Sequence, residues 1–196
     1  MLLAPLLLVV GFSIHPPEPH DGARMLEVLA NNAGRWNAVH IMFAISMVLS
    51  IPATLGVMDL LERRGGARYG LIGGSLMVIG VIFLTLFTGI ELAMSAIASI
   101  PVEQRAGIEP AMQALIDFSG PLPVVFIGLS LNLGLFVLAV GLITTRAVPR
   151  WSSIGIEVAA LVLVGGLFNN LLGAIGAAVL LVGLGFIGLR VLTSVR

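Results

Sequence analysis

The chain has no cysteine and no lysine, and only 10% of its 196 residues are charged. Without cysteine there can be no disulfide, no thiol nucleophile and no iron–sulfur ligation. Without lysine there is no Schiff-base chemistry and no retinal attachment of the usual kind. All ten basic side chains are arginine. Soluble domains carry about 25% charged residues, so less than half the usual solvating charge is present. Ten acidic residues balance the arginines to a formal net charge of zero, which gives no reason to expect a nucleic-acid partner. Walker, Rossmann and nucleophile-elbow patterns are also missing, and Ser46 and Ser130 have no spaced partners that would make them hydrolase nucleophiles.

What is present is apolar. Hydrophobic residues make up 58% of the chain and mean hydropathy is +1.11. Nearly uncharged runs of about 18 residues or more recur, the signature of spanning helices. The composition therefore predicts an all-α integral membrane protein, one polytopic domain over residues 1–196. Six spans are expected at roughly 1–15, 37–58, 70–99, 122–144, 152–169 and 173–192. The run Met1–Ile14 has no basic residues ahead of it and no small-residue cleavage site, so it reads as a retained first helix, not as a signal peptide. From Ile154 to Leu189 only Glu157 is charged. As one helix this stretch would measure ~54 Å, against a bilayer core of ~30 Å. The Asn169-Asn170 pair with Gly173 supplies a turn, which makes two spans; a continuous element would leave five.

Two of the connecting segments are long and have helical character. After His15-Pro16-Pro17-Glu18-Pro19-His20, Asp21 is placed to cap a helix with Met25, Leu26 and Leu29 on one face. Pro110 starts a second short helix bearing Met112, Leu115, Ile116 and Phe118, suited to a bilayer surface. The other connections are short and basic, with Arg63, Arg64 and Arg68 around Gly65-Gly66, then Arg146 and Arg150. Positive-inside bias places these turns and both termini in the cytoplasm, and the two long loops outside. A bacterial plasma membrane is the expected location. The 24 glycines crowd the later spans, where they permit close helix packing.

This topology brings scattered polar residues toward one outer region. Acids inside spans are costly and usually kept for a purpose, which singles out Glu91 and, nearer the cytoplasm, Glu157. Thr85, Thr88, Glu91 and Ser95 fall on one face of the third span and should look into a cavity or onto a partner helix. His40 lies one turn below Trp36, Asn132 on the fourth span and Asn169 at the end of the fifth. Glu91 reads as a proton carrier or ligand residue, or else as a protonated acid bridging helices. His40 reads as a relay or ligand residue, or as a hydrogen-bonded packing residue. By donor type, His15, His20 and His40 would suit zinc or copper, although their spacing matches no standard motif. Haem between two spans is disfavoured because only His40 lies in one.

Two functions follow. One is a small bundle with an outward-facing pocket around Glu91 and His40, lined also by Thr88, Ser95, Asn132 and Asn169, that binds a small ligand, lipid, ion or cofactor or relays protons. The other is a non-catalytic accessory subunit of a larger membrane complex or homo-oligomer. A metal-dependent membrane enzyme using the histidines stands behind both.

Overall fold

Proline and glycine placement cuts the chain into helices that close into a ring. The structure, a computed structural model, describes residues 2–119, 121–166 and 169–194, and every regular element among them is helical. In order these are α1 (Leu3–Ile14), α2 (Gly22–Arg63), α3 (Ala67–Ala98), a 3₁₀ segment (Val102–Gly107), α4 (Glu109–Ser119), α5 (Pro121–Thr144), α6 (Arg150–Gly166) and α7 (Asn170–Ser194). Each of α1, α2, α3, α5, α6 and α7 packs on the next, and α7 returns to α1. The closure is antiparallel: Gly173 lies against Phe12 at one end and Gly185 against Leu2 at the other.

The first long loop differs from expectation in one respect. Asp21 caps as anticipated, its Oδ1 accepting the Arg24 backbone N–H at 2.9 Å. The helix it starts then runs on as α2 for 42 residues instead of ending before the second span. Only Asn32 leaves helical geometry (φ −129°, ψ 18°), and its side-chain amide donates to the Val28 carbonyl at 2.9 Å. A local kink thus replaces a break, because no proline lies between Asp21 and Pro52. The turn to α3 uses Gly65 at φ +76°, a conformation that glycine adopts without steric cost. The later reversal falls between Gly166 and Asn170, so the apolar stretch after Ile154 is two helices.

Among the described residues, three helices are long and apolar enough to cross a membrane: α2, α3 and the Asn170–Leu189 part of α7. The apolar helix α1 and the Gly128–Thr144 part of α5 are shorter. Large apolar side chains point outward around the ring, among them Leu6 on α1, Ile45 on α2, Ile82 on α3, Leu133 on α5, Leu161 on α6 and Val182 on α7.

Inside, three apolar clusters are stacked along the bundle. Leu61, Leu142, Ile156 and Ile187 lie toward the end with the arginine-rich turns, and Leu8, Met47, Val81 and Ala177 form the middle. At the opposite end Met25, Leu26 and Leu29 of α2 meet Met94 of α3 and Met112 of α4. The two amphipathic segments therefore pack on each other as well as on the ring. Gln113 joins them, its Oε1 accepting the Gly22 N–H at 2.8 Å. Glycine permits close crossings, as between α3 and α5, where a Cβ on Gly134 would sit 2.8 Å from the Met77 nitrogen.

Candidate functional site

Helix α1 ends where Pro16 and Pro17 follow His15. A residue before proline is driven out of helical geometry, and His15 is extended (φ −62°, ψ 130°). That turn places its side chain inside the bundle, with the residue only 6% exposed. Its ring meets Trp36 and His40, each at 5.1 Å between centroids, and stacks on Phe43 at 5.9 Å. Trp36 and His40 are one helical turn apart on α2 and stack on each other at 4.7 Å. The Trp36 indole N–H donates to the Glu91 main-chain carbonyl at 3.0 Å, which ties α2 to α3. Trp36 itself is fully buried.

Two side chains anchor the main chain at His15. Arg35 donates to the Ile14 carbonyl and, at 3.3 Å, to that of His15. Asn170, at the start of α7, also donates to the His15 carbonyl, at 3.4 Å. The junction of α1, α2 and α7 is thus made at one residue.

The imidazole protons can be assigned from partners. His15 Nδ1 lies 2.6 Å from the Pro16 carbonyl oxygen, which only accepts, so Nδ1 carries a proton. Its Nε2 lies 3.2 Å from Glu18 Oε1. A proton shared across that gap makes it a hydrogen bond, with the proton on the acid as His15/Glu18-H or on the ring as imidazolium/carboxylate. Burial lowers the His15 pKa, the Pro16 carbonyl opposing and the Arg35 charge reinforcing that shift. Although 45% of the Glu18 side-chain surface is accessible, crowding by protein around its carboxyl pushes the group up to about 7. Both shifts favour the neutral pair.

His40 follows the same rule one step deeper. Its Nδ1 donates to the Trp36 carbonyl at 2.9 Å, leaving Nε2 as the acceptor. Beside this cluster lies Glu91, 6% exposed, with its Oε2 buried and without a hydrogen-bond partner among the described residues. The Glu18 and Glu91 carboxyls are within electrostatic reach of each other. Above the pair, an open groove of about 430 Å³ is lined by Pro17, Glu18, Pro19, Arg24, Glu27 and Asn32, among others. This volume lies within the usual range for small-molecule sites. Glu18 therefore has one side on the groove and the other on His15.

The remaining expected residues divide. Thr88 and Ser95 are buried with Glu91 on one face of α3, whereas Thr85 is exposed and donates to the Val81 carbonyl. Asn132 is far from the cluster. It lies at the level of Gly80, which packs on Leu131, and Glu91 is farther along α3 by ~16 Å at the helical rise. Its amide donates to the Gly128 carbonyl. Asn169 caps α7, Oδ1 accepting the Leu171 N–H at 2.9 Å, and it is Asn170 that reaches His15. Glu157, half-buried on α6, has an orphaned Oε2, as Ser153 one turn before it has an orphaned Oγ.

His15 and His40 come together, but His20 is exposed beyond Pro19, its carbonyl accepting from Gln113. The three histidines proposed for zinc or copper are not gathered, and no group of three acidic or imidazole ligands is placed for a metal among the described residues. Glu18, Trp36 and Arg35 are the contributors that spacing alone did not reveal. The available signal was His15-Pro16-Pro17-Glu18, in which two rigid residues fix an imidazole and an acid three positions apart. No family model, curated protein or solved structure matches the chain.

Proposed function

We propose that the six ring helices cross a bacterial plasma membrane and carry, at their outer end, a polar pocket that takes up protons from outside. Protons pass from the groove to Glu18 and His15, and from there to His40 and Glu91. The exposed apolar side chains on all six helices support insertion, since soluble monomers rarely expose apolar patches beyond a few hundred Å². Helices α1 and α6, at 12 and 17 residues, are short for a ~30 Å core and are accommodated by local thinning or by flanking arginines. The arginine-rich turns at one end and the acid-rich loops at the other support an orientation with both termini cytoplasmic.

The observation that carries the functional reading is the orphaned carboxyl oxygen of Glu91. A buried polar atom without a partner costs about 1–3 kcal/mol, and at Glu91, unlike at Glu157, that atom lies in the same region as two imidazoles and a second carboxyl. The free Nε2 of His40 and the shared proton of His15 and Glu18 provide the acceptors on the way in. A small cationic or hydrogen-bonding ligand seated in the groove would use the same carboxyls.

Infrared difference spectra of the membrane-reconstituted protein test this reading. A carboxylic-acid band that titrates with external pH and disappears in Glu91→Gln is expected. Persistence of every titrating band in that variant would remove Glu91 from the path.

A further inference from the structure

The opposite end of the bundle carries a second feature that the pocket does not use. The α2–α3 turn and the α5–α6 turn touch: a Cβ on Gly66 would lie 2.7 Å from the Thr145 methyl, and one on Gly141 would lie 2.5 Å from Tyr69 Cβ. This contact sets Arg64 and Arg68, which flank Gly66, beside Arg146, the neighbour of Thr145, with Arg150 closing the same turn. Of the acids here, Asp59 is engaged by Arg63 at 2.9 Å, and Glu62 is the other. Arg68 lies over the Tyr69 ring at 4.8 Å and donates to its hydroxyl. Arg64, Arg146 and Arg150 make no side-chain hydrogen bond or ion pair among the described residues. Arg146 stands at φ +53°, an unusual conformation for a residue other than glycine.

Apolar surface begins immediately beside these charges. Leu71 and Ile72 follow Arg68 by one turn, and Trp151 and Ile154 follow Arg150; all four are more than half exposed. Trp151 is steadied edge-on by Phe186 at 4.8 Å, in the manner of an interfacial aromatic. Free guanidiniums above exposed apolar side chains match one amphiphile in both halves: a phosphate headgroup over acyl chains.

We propose that the paired turns bind the headgroup of an anionic phospholipid, with its chains lying against the apolar outer surface of the bundle below them. Arginine suits this role because its fork donates twice to one phosphate. Basic residues at a membrane surface each add about 1 kcal/mol toward anionic lipid, close to fivefold in affinity. The inference rests on the membrane-spanning reading and not on the pocket at the other end.

The test is lipid retention by the full-length protein, purified in detergent and read by native mass spectrometry after incubation with phosphatidylglycerol or phosphatidylcholine. Preferential retention of phosphatidylglycerol is expected, falling roughly fivefold with each of Arg64→Gln, Arg146→Gln and Arg150→Gln. The corresponding Arg→Lys triple variant should keep the part of the preference that comes from charge and lose the part that comes from the fork, which separates loss of charge from loss of fold. Equal retention of both lipids overturns the proposal. So does equal competition by inorganic phosphate, which would show a soluble-anion site. Failure of the chain to enter vesicles at all would instead strike the membrane reading on which the proposal stands.

Discussion

Glu91 and Glu157 have the same standing in the sequence, each a lone acid in an apolar run, yet their surroundings differ sharply. Glu91 is enclosed beside Trp36, with His15, His40 and Glu18 in the same region. Glu157 is half-buried on α6, its orphaned oxygen one turn from an orphaned serine hydroxyl. An acid in an apolar helix becomes a candidate for chemistry through what the loops bring to it, not through its cost alone. The Pro-rich turn after α1 brings an imidazole and a second carboxyl to Glu91, and no such turn lies beside Glu157.

The most damaging change should fall on the residue that holds the outer cluster together. Trp36→Ala removes a fully buried indole and its bond to α3, and a loss of about 3–5 kcal/mol is expected from such truncations. Thermal melting in detergent checks it. A loss as large from Ser153→Ala at the other end would erase the contrast.

Next in size is the functional separation of the two acids. Glu91→Gln should abolish the titrating carboxyl band while leaving the melting temperature nearly unchanged, because the tie to Trp36 is made by its main-chain carbonyl. Glu157→Gln should leave the band in place. If the band follows Glu157 instead, the proton path lies in the inner half.

A smaller effect concerns pH. Glu18 is raised in the fold from 4.5 to about 7, so its contribution to stability is full below 4.5 and is lost as pH rises through about 7. His15 is lowered from 6.5, so its contribution is full above 6.5 and is lost as pH falls. The two oppose each other, and global melting should change little between these limits. The local contact should change more: above about pH 7 the pair loses its shared proton, and a carboxylate faces an imidazole lone pair. Trp36 fluorescence, isolated by Trp151→Phe, should therefore shift as pH rises through about 7 and become flat in Glu18→Gln, whose amide can donate to Nε2. A shift surviving in Glu18→Gln would assign it to another group.

The smallest expected effect is at the cap. Asn169→Ala should cost about 1 kcal/mol, typical of a lost helix cap, and leave the Trp36 profile intact. A changed profile would return Asn169 to the pocket.

Much of the fold was legible because it depends on local rules. The helical class follows from the apolar runs, the start of α2 from Asp21 and the final reversal from Asn169-Asn170. The helix over Met112 and Leu115 was legible from its spacing, but its packing on Met25 and Leu29 was not. That contact depends on where two loops meet in space. For the site, Glu91, His40, Thr88 and Ser95 were visible as polar interruptions of apolar helices. Thr85 was misplaced because three- and four-residue steps drift around a helix, carrying the far end of a stripe off the face. Asn132 was misplaced because depth counted from a helix end ignores the tilt and stagger set by Gly73, Gly80 and Gly134. His15 looks like a solvated loop residue until the two prolines turn it inward and set Glu18 against its ring.

The hydrogen bond from Asn170 to the His15 carbonyl spans 155 positions of the chain. His15 leaves the ribosome long before Asn170, so its setting is finished only when α7 arrives. Until then α1 has α2 for a neighbour and an open flank where α7 belongs. A chain stalled before Asn170 would therefore carry an unfinished histidine junction, its His15 carbonyl short of one donor.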